Sequence, residues 1–134
     1  MTDYNGIIKD LIAGKWVNPE DKRKYGIPIK KIEIDKSLDG KESLLISQLH
    51  PNQNLLIVSD QFTHKALGSR IYKNLQGKVK ADEYIWESPS SSIEGVEFLR
   101  KKIKDYDGVI AVGSGTVSAV SYTHLRAHET YADL

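Results

Sequence analysis

The run Asp107-Gly108-Val109-Ile110-Ala111-Val112-Gly113-Ser114-Gly115-Thr116-Val117 decides how this 134-residue chain folds. Its first half is short, apolar and β-branched, the pattern of a strand buried on both faces of a parallel sheet. It then breaks into Gly113-Ser114-Gly115-Thr116. Two glycines permit a tight turn and let a ligand approach the backbone without meeting a Cβ. A helix beginning at Thr116 points its free N–H groups into that turn, where backbone donors and the helix dipole favour a phosphate. Glycines at this spacing also make ordinary tight turns, and the strand before them leaves the two readings evenly balanced.

Working outward from that strand, the chain alternates strands and helices. Ile93 to Lys104 carries Val96, Leu99, Arg100 and Ile103 on one side, a helix that the serines of Ser88–Ser92 can cap. Val79 to Trp86 is a wetter strand, and Leu55 to Val58 a second buried one. Between them Thr63 can cap a helix running through Leu75, with Ala66, Leu67, Ile71 and Leu75 inward and Gln76-Gly77 as its end. Asp39 is the expected N-cap of a helix over Gly40–Leu49, with Leu44, Leu45 and Leu49 inward. Ile29 to Ile34 reads as an edge strand with one wet face. Lys15 to Pro28 is an irregular lead-in anchored by Trp16, and Tyr4 to Ala13 a short helix that Gly14 ends.

This alternation predicts an α/β fold, a Rossmann-like parallel sheet with flanking helices. The expected division is residues 1–28 as helix and lead-in, 29–119 as a truncated nucleotide-binding domain, and 120–134 as a tail. Ligands of such sheets bind beyond the carboxyl ends of the strands, where Asp60 and Gly113–Thr116 both fall.

Composition narrows the function classes. A formal net charge of +1 argues against a dedicated nucleic-acid binder. The absence of cysteine excludes a disulfide framework and a thiolate metal site. No apolar run is long enough to span a bilayer, and Met1-Thr2-Asp3-Tyr4 lacks signal-peptide character, so a cytoplasmic chain with no membrane or nucleic-acid partner is expected. His50 and His64 sit in polar surroundings and read as solvated. Tyr84, Trp86 and Tyr106 read as packing residues.

Val109-Ile110-Ala111-Val112-Gly113-Ser114-Gly115-Thr116-Val117 resembles the nucleotide loop of the sn-glycerol-1-phosphate dehydrogenases. That family belongs with dehydroquinate synthases, glycerol dehydrogenases and iron-containing alcohol dehydrogenases. Leu55-Leu56-Ile57-Val58-Ser59-Asp60, Thr63-His64 and Leu67-Gly68-Ser69-Arg70 resemble it in a second and more specific motif. The resemblance extends from about Gly14 to Val117.

It implies a portion of an enzyme passing hydride between NAD(P)H and dihydroxyacetone phosphate. Gly113, Ser114, Gly115, Thr116 and Val117 would hold the cofactor pyrophosphate, and Asp60 would face the adenosine ribose. A carboxylate there accepts from both ribose hydroxyls and repels a 2′-phosphate, which favours NAD over NADP. Asp60 read without the resemblance is equally a helix-capping acid. The resemblance also implies a divalent metal and a substrate-phosphate site in a C-terminal domain that this chain lacks. The expected partners are therefore the cofactor and a polyol phosphate, with no catalytic residue in this chain and no turnover by it alone. A homo-oligomeric parent stays open. The alternatives are a dehydroquinate-synthase-like or glycerol-dehydrogenase-like parent, or a non-catalytic α/β binding module.

The tail is read separately. Val120–Thr130, reverse-translated, can be written as a string resembling read-through of a transposase-type sequencing adapter, and Asp133-Leu134 fits the bases after a short index. The family's substrate Asp would fall at Ala119. Residues 120–134 are therefore expected to be translated adapter that projects from the sheet. His124 and His128, four apart beside Glu129, mimic a zinc pair and are assigned no metal.

Overall fold

The computed structural model describes residues 3–90, 92–113, 115, 117 and the backbone of 132–133. The chain divides into two units, residues 1–38 and 39–134.

In the first unit, α1 (Tyr4–Ile12) starts where the Asp3 carboxylate accepts the Gly6 N–H at 3.0 Å. It stops at Gly14, whose φ of +69° is the left-handed turn that a helix end requires. The lead-in is more ordered than its composition suggests. Two short antiparallel strands, β1 (Trp16–Val17) and β2 (Lys24–Tyr25), pair there. The Trp16 and Tyr25 rings meet at 6.4 Å, and the Tyr25 hydroxyl donates to Asp21.

The expected edge strand over Ile29–Ile34 does not form; the segment is irregular, and Ile34 is exposed. Lys30-Lys31 interrupts the alternation after Ile29, and among the described residues no strand pairs with the segment.

The second unit is the predicted α/β sheet. Three parallel strands lie in the order β4 (Lys80–Trp86), β3 (Asn54–Asp60), β5 (Gly108–Val112). β3 and β5 run in register from Leu55↔Gly108 to Ser59↔Val112, and β3 and β4 from Asn54↔Lys80 to Asp60↔Trp86. Asp107 fastens the start of this ladder, its carboxylate accepting the Asn54 N–H and its own N–H donating to Asn54 O, both at 2.8 Å.

Both faces of the sheet are covered, which is why β3 and β5 read as unbroken apolar runs rather than alternating ones. Leu55, Ile57, Ile110 and Val112 pack on one face against Ile46 of α2 (Lys41–Leu49) and Ile71 and Leu75 of α4 (Ser69–Leu75). Leu56, Val58, Val109 and Ala111 pack on the other against Leu99 and Ile103 of α5 (Ile93–Ile103) and against Val117. Each of these Val, Leu and Ile side chains contributes about 1.5–3 kcal/mol when fully buried. Among the described residues β4 pairs with β3 alone, and most of its residues are wetter than those of β3 and β5. Trp86 and Phe98 stack at 6.1 Å, and the Tyr106 hydroxyl donates to Asp82 at 2.8 Å, so these aromatics do pack rather than present a platform.

Two helix faces differ from expectation. In α2 the buried residues are Glu42, Ser43 and Ile46, while Leu44 is exposed and Gly40, not Asp39, occupies the N-cap position. A charged side chain turns inward here because Arg70 Nε donates to Glu42 Oε1 at 2.8 Å. After β3 the helix begins at Gln61 with Asp60 as its cap, through α3 (Gln61–Thr63), a π-helical turn (His64–Gly68) and α4. The wider π turn inserts a residue into the helical repeat and rotates the face, leaving Ala66 exposed and burying Gly68.

The tail was expected to project from the sheet. Of its residues, Ala132–Asp133 instead form a short strand, β6, parallel to β5, with Ile110 beside Ala132 and Ala111 beside Asp133. The outer edge of β5 carries free N–H and C=O groups, and any extended segment can satisfy them whatever its origin. His124, His128 and Glu129 lie outside the described residues.

Candidate nucleotide site at the strand ends

The strand order places a crevice at one spot. From β3 the chain turns to α4 on one face of the sheet; from β5 it turns to Val117 on the other. Where two neighbouring parallel strands send their connections to opposite faces, the gap beyond their carboxyl ends stays open, and ligands of such sheets bind there. Asp60 ends β3 and Gly113 follows β5, so the structure brings these two predicted residues to the same crevice.

Asp60 is both a cap and a candidate ligand. Its Oδ1 accepts the Phe62 and Thr63 N–H groups at 2.9 and 2.8 Å, while Thr63 Oγ1 accepts the Asp60 N–H at 3.0 Å. This is a capping box with Asp and Thr as the reciprocal pair. Among the described residues no hydrogen bond reaches Oδ2, so one oxygen of the largely buried carboxylate remains for a ligand hydroxyl. Thr63 Oγ1 also donates to Val112 O at 2.8 Å, joining the ends of β3 and β5.

The glycine turn has two different glycines. A Cβ on Gly113 would lie 2.7 Å from Val117 Cβ, so this glycine lets the following turn settle onto the sheet. A Cβ on Gly115 meets nothing within 4 Å. Gly115 is exposed and already helical, so the helix starts earlier than Thr116. The space beside Gly115 is open, so no Cβ obstructs an approach to its backbone. Val117 is wholly buried in the core, so its contact with any ligand is limited to its backbone. Ser114 and Thr116 lie outside the described residues.

His64 was expected to be solvated. Its side chain is instead 22% exposed, with Nδ1 3.4 Å from Glu83 Oε2 but too poorly placed for a hydrogen bond. Gly68 passes close above Ser59, with a Cβ there 3.2 Å from Ser59 Oγ, so a glycine at this position lets the helix approach β3 closely. Among the described residues no three His, Asp or Glu side chains converge to hold a metal. No helix of those residues is long and apolar enough to cross a membrane.

Comparison with known proteins agrees with this architecture. The crystal structure of glycerol dehydrogenase from Schizosaccharomyces pombe superposes with a TM-score of 0.63 at 13% identity, over 72% of this chain and 25% of that one. The chain thus spans about a quarter of the length of that enzyme, and the likeness establishes a shared fold. No curated protein matches the sequence. The family model described as iron-containing alcohol dehydrogenase matches residues 33–129, a span that takes in the sheet and the crevice and runs into the tail. That span covers most of the sequence, and on its strength this chain belongs to the iron-containing alcohol dehydrogenase family.

Proposed function

We propose that this chain is the NAD(P)-binding portion of a dehydrogenase related to sn-glycerol-1-phosphate dehydrogenase. What supports the reading is that Asp60 ends β3 and Gly113 follows its parallel neighbour β5, with open space for a phosphate cradle beside Gly115. The ribose hydroxyls would be held by Asp60, and the pyrophosphate by the backbone of Gly113–Val117. A nicotinamide dinucleotide, when bound, supplies or accepts the hydride. The residues present would bind and orient it. A substrate of the polyol-phosphate class and a divalent metal would be held by residues beyond those described, so the chain alone is expected not to turn over.

A glycerol-dehydrogenase-like parent is supported as well by the structural likeness, which does not distinguish the two substrates. Asp at position 119 in the parent gene, in place of Ala119, would favour the adapter origin of residues 120–134, and the sequence downstream of it would separate the two parents. A cytoplasmic location is part of the same proposal.

Asp60→Asn tests the site. Asn caps helices as well as Asp does, so α3 is retained while the charge is lost. NAD affinity should fall several-fold, and any preference for NAD over NADP should narrow. Unchanged affinities for both would remove Asp60 from the site.

A further inference from the structure

The geometry points to Thr63 as the spacer that sets the distance between the ribose acceptor Asp60 and the glycine turn that opens at Gly113, an inference that rests on the nucleotide site proposed above. The β3–β5 ladder ends at Ser59↔Val112. Beyond that pair β3 and β5 share no further rung among the described residues, although Asp60 still pairs with Trp86 of β4. The next link is a side chain. Thr63 Oγ1 accepts the Asp60 N–H at 3.0 Å and lies 2.8 Å from Val112 O and 3.4 Å from Asp60 O. A hydroxyl has one proton, and the shorter and better bond takes it, so the donation goes to Val112. One oxygen thereby holds the last residue of β3 and the last residue of β5.

Both ends of this bridge adjoin ligand-facing atoms. The Asp60 amide belongs to the residue whose Oδ2 has no hydrogen-bond partner among the described residues, and the Val112 carbonyl belongs to the peptide that enters Gly113. Val112 is 2% exposed, so water reaches its carbonyl poorly and the hydroxyl has little competition. Thr63 need not touch a nucleotide to affect it. It is a positioning residue, and its loss acts on ligands that span the crevice rather than on those that fill one half.

This distinction supplies the test. The chain is titrated with ADP, which spans both halves, with adenosine, which reaches only the ribose half, and with pyrophosphate, which reaches only the cradle. Binding is followed by amide NMR shifts. Thr63→Val, which keeps the shape and removes the hydroxyl, should raise the ADP dissociation constant about tenfold, the scale of one lost buried hydrogen bond with its partners stranded. Adenosine and pyrophosphate should each change by less than about twofold. Thr63→Ser keeps the bridge and should stay within about twofold of wild type for all three, which holds the inference to account even where the valine variant folds poorly.

Equal losses for all three ligands in Thr63→Val, or a tenfold ADP loss in Thr63→Ser, would overturn the spacer role while leaving the nucleotide site in place. Failure of the unsubstituted chain to bind ADP or pyrophosphate would instead remove the site itself, and the spacer role with it.

Discussion

Replacing Gly113 and Gly115 singly by alanine makes the same chemical change two positions apart and should move stability in opposite directions. On Gly113 the added Cβ would stand 2.7 Å from Val117 Cβ and 3.0 and 3.1 Å from its two methyls. Carbon atoms pack comfortably at about 3.5–4.0 Å, so the shortfall is near 1 Å. Val117 Cβ is fixed to the backbone and fully buried, and no side-chain rotation relieves the contact. Forcing such a group into a packed core costs about 1–3 kcal/mol. At about 2 kcal/mol, and with the slope usual for a small domain, the urea midpoint falls by about 1 M. On Gly115 the Cβ meets nothing within 4 Å, and alanine suits a helical position better than glycine by about 0.5–1 kcal/mol. That midpoint should hold or rise, while pyrophosphate binding weakens because the cradle is filled. Urea melts followed by far-ultraviolet circular dichroism read the first effect and titration the second. A Gly113→Ala midpoint equal to wild type, or a Gly115→Ala midpoint falling as far as that of Gly113→Ala, would refute the packing argument.

Two further perturbations test the frame around the crevice. The Glu42 side chain is 4% exposed and Arg70 41%, with Asp39 also 3.5 Å from Arg70 Nε. Arg70→Met strands a buried carboxylate and should cost about 1–3 kcal/mol; adding Glu42→Gln should recover part of that loss in the same urea melts. The hydrogen bond from Tyr106 to Asp82, helped by burial and by the Asp82 and Asp105 charges, holds the Tyr106 hydroxyl above its ordinary range. Its contribution is therefore complete below about pH 10 and lost as pH rises through the raised folded value. The stability gap between wild type and Tyr106→Phe should shrink on that alkaline limb, and a constant gap would contradict the assignment.

The sheet was legible because β3 and β5 are buried on both faces, and burial of that kind leaves an unbroken apolar run in the sequence. Asp60 and the glycine turn were legible as strand ends for the same reason. The helix after β3 was readable in extent but not in phase. Its π turn at His64–Gly68 adds a residue to the repeat, and no count of 3.6-residue periods locates such an insertion. The signal present was Gly68, a glycine inside an apolar helical pattern, which marks a close approach to the neighbouring strand. In α2 the inward face was misread because burial there follows an ion pair between Glu42 and Arg70, residues 28 positions apart. The β1–β2 hairpin escaped notice because two-residue strands carry no periodicity. Thr63 was read as a cap; its second bond, to Val112, depends on two strands lying side by side, which only the fold reveals.

The central claim is that a dinucleotide lies across the crevice between β3 and β5. Amide NMR titration of this chain with NAD measures it most directly, with Gly115→Val as the control that fills the cradle. The account predicts shifts concentrated at Asp60, Phe62, Gly113 and Gly115, and their loss in the control. Saturable shifts elsewhere on the sheet, or the same shifts persisting in Gly115→Val, would contradict it.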